Sequence, residues 1–142
     1  MIHWLDQSNE LVWASERDGW NHLYRFDAVT GKQINQITTG EWVVRRIEHV
    51  DEDRGVIWFA AMGIHPEQDP YHIHLARVNL DGTGLIVLTE GDGTHQWEFN
   101  ADRSLFVDRW SRVDLPEHAQ LREARDGNAL ANLFTQDISE LE

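Results

Sequence analysis

The sequence predicts an all-β fold of about three four-stranded antiparallel units, and three observations predict it. An order of apolar strand, polar loop, second strand, glycine turn and closing strand occurs three times along the chain. The runs are separated by Thr-Gly and Asp-Gly dipeptides, which supply the positive φ that tight hairpins require. Seven tryptophans, nearly all in or beside those runs, suit pleated surfaces and the space between packed sheets. Strand-and-turn units repeating every roughly 40–50 residues mark propeller blades, so the units are read as blades of a β-propeller.

The first unit holds Leu11–Ser15, the loop Glu16–Gly19, His22–Phe26, the turn Thr30-Gly31 and Gln33–Thr38. Only Ile2–Leu5 stands ahead of it as a fourth strand, so this blade is expected to be incomplete. The second unit opens on Trp42–Val50 and continues through Val56–Ala60, a longer loop to Tyr71, His74–Val78, the turn Asp81-Gly82 and Leu85–Thr89. In the third, His95–Asn100 precedes Leu105–Trp110, Gln120–Arg122, the turn Asp126-Gly127 and Leu130–Phe134. Trp13 to Trp58 is 45 residues and Trp58 to Phe106 is 48; Leu23 to Leu75 is 52 and Leu75 to Leu121 is 46. The blades therefore fall at 1–41, 42–91 and 92–136, followed by a tail, 137–142, that is a helical turn or frayed. Residues 116–125 are rich in helix formers behind a proline suited to a first helical turn. The repeat requires a strand there, and a strand is the reading.

Hydrophobic residues make up 41% and charged residues 26%, the balance of a globular protein rather than a disordered one. The net charge of −13 repels phosphate backbones and anionic lipid, so neither nucleic acid nor a membrane surface is an expected partner. The acidity is scattered in ones and twos, the pattern of a solvated surface. Without cysteine there is no disulfide, thiolate metal site or cysteine nucleophile. No secretory pattern opens the chain and no apolar run reaches a membrane span; the compartment stays open.

Candidate chemistry is sparse. His72 and His74 are two apart, with His65, Glu67 and Asp69 upstream in the same loop. In an extended segment an i, i+2 pair shares a face and a metal could bridge it; the plainer reading is a polar loop end. No metal or other cofactor is expected. A triad is arithmetically possible, with His95 near Asp92 and Ser111 near Asp108, but no local spacing joins them. Arg17 with Asp18, Arg109 with Asp108 and Arg112 with Asp114 are expected to form loop ion pairs. Three blades leave two outer faces without a neighbour. Val43, Ile57, Leu75 and Val87 are expected on them, and the chain is expected to self-associate to cover them.

The motifs Ser15-Glu16-Arg17-Asp18-Gly19-Trp20-Asn21-His22-Leu23-Tyr24, Thr30-Gly31-Lys32 and Thr39-Gly40-Glu41-Trp42 resemble a blade of the dipeptidyl peptidase IV family. The resemblance continues through Val78–Gly82, Asp92–His95 and Val107–Pro116, and covers essentially the whole chain. It implies the late part of an N-terminal eight-bladed propeller in a prolyl oligopeptidase-type serine peptidase, with an α/β-hydrolase domain, absent here, as its partner. The nucleophile elbow G-x-S-x-G occurs nowhere. The adjacent acidic residues Asp51-Glu52-Asp53 do not match the family's paired glutamates. No catalytic or substrate-binding residue is therefore carried over. The function implied is a non-catalytic segment that scaffolds and gates peptide access. The alternative is a free-standing protein-interaction module.

Overall fold

A computed structural model describes residues 1–112 and 114–135 of the chain. The expected tail at 137–142 lies outside the described residues. Twelve strands run in the order β1 (Ile2–Leu5), β2 (Glu10–Ser15), β3 (His22–Asp27), β4 (Gln33–Gln36), β5 (Val43–Asp51), β6 (Val56–Met62), β7 (Ile73–Asn79), β8 (Ile86–Val87), β9 (Thr94–Phe99), β10 (Leu105–Arg112), β11 (Leu115–Glu123) and β12 (Ala129–Thr135). They form three four-stranded sheets, β1-β2-β3-β4, β5-β6-β7-β8 and β9-β10-β11-β12, and every pairing is antiparallel. Among the described residues no helix is long and apolar enough to cross a membrane.

The first sheet, expected to be incomplete, has all four strands; its β1 is four residues long against nine in β5. Residues 116–123 are strand despite their helix-forming composition, because β11 pairs with β10 on one side and β12 on the other. Tertiary pairing outweighs a local propensity of a few tenths of a kcal/mol per residue. Pro116 falls where the ladder slips, between Trp110 and Arg112, a place that tolerates a residue without an N–H.

Two apolar layers join the sheets. Leu5, Val12, Leu23 and Ile37 of the first unit pack on Trp42, Val44, Ile57, Phe59, Ala76 and Val78 of the second. Val56, Trp58, Leu75 and Leu88 then pack on Phe106 and Ala124 of the third. The middle sheet is covered on both sides. This corrects the expected outer-face residues: all four belong to the middle sheet, and Ile57 and Leu75 are fully buried between sheets. Val43 and Val87 are half-buried. Apolar residues are left open on the end sheets, and Tyr71, Leu85 and Ile86 are exposed in the middle unit. On the first sheet Ile2, Trp4 and Trp13 are 59%, 61% and 41% exposed, and β1–β2 pairing sets Ile2 opposite Trp13.

The hairpin turns also hold the blades together. A side chain at Gly82, with φ +89°, would place its Cβ 2.8 Å from the Gln36 carbonyl oxygen of the first blade; at Gly127, with φ +78°, it would lie 2.6 Å from that of Leu88 in the second. Each closing hairpin thus rests against the preceding blade's last strand at a distance only glycine allows. Polar bonds follow the same seam. Asn35 Nδ2 donates to the Leu80 carbonyl at 2.9 Å, and Trp58 Nε1 to the Ala124 carbonyl at 3.0 Å.

Candidate functional site

The histidines carry most of the chain's potential chemistry, and the strands decide what each can do. His22 opens β3 and His74 lies on β7, each followed by a buried leucine. His22 Nδ1 lies 2.8 Å from Thr38 Oγ1 and its Nε2 2.8 Å from the Gly40 carbonyl. A carbonyl only accepts, so Nε2 carries the proton and Nδ1 accepts from the threonine hydroxyl. His74 repeats the device. Its Nδ1 is 2.8 Å from Thr89 Oγ1, and its Nε2 is 2.8 Å from Gln68 Oε1. The same two threonine oxygens accept from the Leu23 and Leu75 amides at 2.9 and 3.1 Å. In this way the ladder continues past the last backbone pair of β4 and β8. The third blade keeps the order in register, since His118 pairs with Thr135. Ala119, not Leu121, is therefore the counterpart of Leu23 and Leu75.

His74 also belongs to a chain of rings at the seam between the second and third sheets. His65 is 4.4 Å from His74, His74 4.5 Å from His95, His95 5.1 Å from Trp110 and Trp110 5.0 Å from His118. Burial, then the like charge of His95 and His65, pushes the His74 imidazolium down to about 3. This folded-state value lies below the ordinary 6.5, so the unfolded chain binds the proton first. His74 therefore contributes stability that is fully present above pH 6.5 and is lost as pH falls toward 3. Between pH 6.5 and 5 the loss is about 2 kcal/mol. Urea unfolding at the two pH values should show it, and His74→Gln should flatten the difference. Equal pH slopes for both proteins would refute the assignment.

The candidates from the sequence fare differently. His74 has both ring nitrogens engaged within its own blade and loop. His72 turns instead toward Asp92, 3.3 Å from Nδ1, and His65 Nε2 meets the Thr89 carbonyl at 2.9 Å. Among the described residues no three His, Asp or Glu side chains gather as a metal site. His95 finds its carboxylate in Asp108, at 2.6 Å, rather than in the nearby Asp92. Its Nε2 is 2.6 Å from the Gly91 carbonyl, which occupies the position a nucleophile would need. Both His95 and Asp108 are buried.

Two expected ion pairs are replaced. Asp108 Oδ2 accepts from Arg122 Nε at 3.1 Å, while Arg109 donates to Gln96. The sequence missed Arg122 because its partner lies 14 residues away across a hairpin. Arg17 donates to Gln33 Oε1 at 2.8 Å and lies over the rings of Trp13, Tyr24 and Phe26. Asp18 accepts from the Trp20 amide and from Gln36. The Arg112 side chain, expected to pair with Asp114, lies outside the described residues.

One groove opens between the first and second units. Trp20, Glu41, Trp42, Met62, Pro70 and Tyr71 line about 630 Å³ where the loop before β7 meets the first two sheets. Trp42 forms its floor, stacked on Phe59 at 5.8 Å and edge-on to His22 at 4.8 Å.

Four-stranded antiparallel sheets packed face to face, with interior histidines bonded inside their own blades, define a run of β-propeller blades. The chain belongs to the dipeptidyl peptidase IV family: the profile described as Dipeptidyl peptidase IV (DPP IV) N-terminal region matches residues 1–117. It is 38% identical over 74 residues to the probable dipeptidyl-aminopeptidase B of Aspergillus oryzae, covering 51% of this chain and 8% of that one. It is 25% identical over 113 residues to the probable dipeptidyl peptidase 4 of Aspergillus flavus, covering 78% and 14%. Two solved structures share the fold. The Porphyromonas gingivalis dipeptidyl peptidase 4 superposes with a TM-score of 0.74 at 19% identity, over 99% of this chain and 19% of its own. A Bacteroides ovatus protein assigned as dipeptidyl aminopeptidase IV gives 0.73 at 23%, over 96% and 21%. The chain thus spans a small part of the length of these relatives.

Proposed function

We propose that these blades are a non-catalytic segment of a dipeptidyl peptidase IV-like serine peptidase, scaffolding the enzyme and gating peptide access to a hydrolase domain. The observation that carries this reading is the internal use of the histidines on the strands. His22, His74 and His95 each hold both ring nitrogens in hydrogen bonds within the blades. They stiffen the sheets and leave no free imidazole at those three positions to act as a general base. The exposed Ile2, Trp4 and Trp13 of the first sheet favour contact with a further apolar surface. In the 142-residue chain alone that contact is self-association.

The test pairs light scattering with a dipeptidyl-proline chromogenic assay. The expected result is a mass above the 16.5 kDa of one chain and no turnover. A monomer that binds no hydrophobic dye would remove the self-association. Turnover that resists removal of contaminants and is blocked by a serine-reactive inhibitor would overturn the non-catalytic reading.

A further inference from the structure

The chain has a net charge of −13, yet Arg54, Arg77, Arg103 and Arg125 line one cleft of about 510 Å³. It lies at the hairpin-turn end of the seam between the second and third sheets, opposite in each strand to the histidine end. Four separate elements supply the arginines. Arg54 comes from the β5–β6 turn, Arg77 from β7, Arg103 from the β9–β10 turn and Arg125 from the β11–β12 turn. Contact carboxylates are few. Asp51 lies 3.7 Å from Arg54, and Glu123 and Asp126 lie 3.2 and 3.7 Å from Arg125.

Arg77 and Arg103 are the two whose Nε donors are left unpaired among the described residues. The Nε atoms of both are buried and lack a hydrogen-bond partner among the described residues. A buried guanidinium donor left unmade costs stability, so the arginines of this cleft are short of acceptors. Arg77 is held in place: its guanidinium lies over the Trp58 ring at 5.3 Å and its Nη1 donates to the Arg125 carbonyl at 2.9 Å. Burial and then the charge of Arg54 lower its proton affinity, and the Asp126 carboxylate offsets part of this. Arg103 has φ +58°, a conformation that is disfavoured for any side chain with a Cβ. Strain of this kind gathers at ligand clamps and switch regions.

We infer that this cleft is an anion site for a phosphate-class oxyanion, received by the guanidinium groups of Arg54, Arg77, Arg103 and Arg125 that line it. Guanidinium groups arriving from four elements suit a tetrahedral group with several oxygens. A planar carboxylate offers two oxygens in one plane and is matched by a single arginine fork. The cleft is open to solvent along Arg54 and Arg125, and it shares no residue with the groove at Trp20 and Tyr71.

The test follows the arginine Nε–Hε resonances of the 15N-labelled chain during titration with sodium phosphate, at ionic strength held constant with sodium chloride. The Arg77 and Arg103 signals should move saturably. Sodium acetate should move them far less. Arg103→Gly keeps the positive φ accessible and Arg77→Met keeps an apolar stem against Trp58, so both should stay folded by circular dichroism. Each should weaken phosphate binding by about tenfold or more, whereas Arg17→Met should leave it unchanged. Motionless Nε signals, an equal response to acetate, or unaltered binding by both folded variants would overturn the assignment.

Discussion

Asp108→Ala is expected to lower the unfolding free energy of the chain by about 3–5 kcal/mol, read from urea denaturation at neutral pH. Asp108 has no solvent-exposed surface, and it sits between two partners. Its Oδ1 is 2.6 Å from His95 Nδ1 and its Oδ2 accepts from Arg122 Nε at 3.1 Å. Arg122 is buried as well; it also donates to the Gly127 carbonyl at 2.8 Å and to Gln120 Oε1 at 2.6 Å. Removing the carboxylate leaves a buried guanidinium without its counter-ion, which costs more than the intact pair contributes. Asp108→Asn should lose less, because an amide oxygen still accepts one of the two bonds. The loss should also spread along the third sheet, since Asp108 ties β10 to β9 through His95 and to β11 through Arg122. A change below about 1 kcal/mol for Asp108→Ala, the scale of an exposed pair, would show that this network carries no structural weight.

Gly127→Ala is expected to cost about 3 kcal/mol, from a left-handed backbone worth about 1–2 kcal/mol and a similar steric term. The new Cβ would lie 2.6 Å from the Leu88 carbonyl oxygen and 2.9 Å from Leu88 Cα. Both are backbone atoms of the neighbouring blade, so no side-chain rotation relieves the clash. The hairpin must lift from the second sheet, and with it the Ala124 carbonyl that accepts from Trp58 Nε1. Gly31→Ala is the control. Gly31 has a similar φ of +73°, with nothing within 4 Å of the built Cβ, so it should cost about 1–2 kcal/mol. Measuring both by thermal unfolding separates the two terms. Equal losses would mean that the contact between blades adds nothing at Gly127.

The strands and turns were legible where the sequence itself carries their physics. His22–Phe26 and His74–Val78 alternate or run apolar and end on Thr-Gly or Asp-Gly turns, and both are strands. The blade order and the family motifs share that legibility, because they depend on residues close together in the chain. Residues 116–123 show the limit. Their composition favours helix, and they are strand because β10 and β12 flank them. The candidate chemistry was less legible. Local spacing offers His95 and Asp108 other partners, and it places Arg122 only in a strand. The pairing of Phe106 with both Phe99 and Arg122 fixes that network, and no local spacing encodes it. The arginine cleft escaped for the same reason, as its members come from four separate elements of the chain.

The sequence by itself determined the all-β class, the blade repeat, the glycine turns and an acidic surface, since periodicity, turn chemistry and composition act over a few residues. Only the tertiary structure decided which faces are buried and which charges meet. Ile57 and Leu75 are interior because the middle sheet has a neighbour on each side. Asp108 pairs with Arg122, and four arginines converge on one cleft. Burial and pairing depend on what another blade brings to the same place, and that is set by sheet packing over distances of tens of residues in the chain.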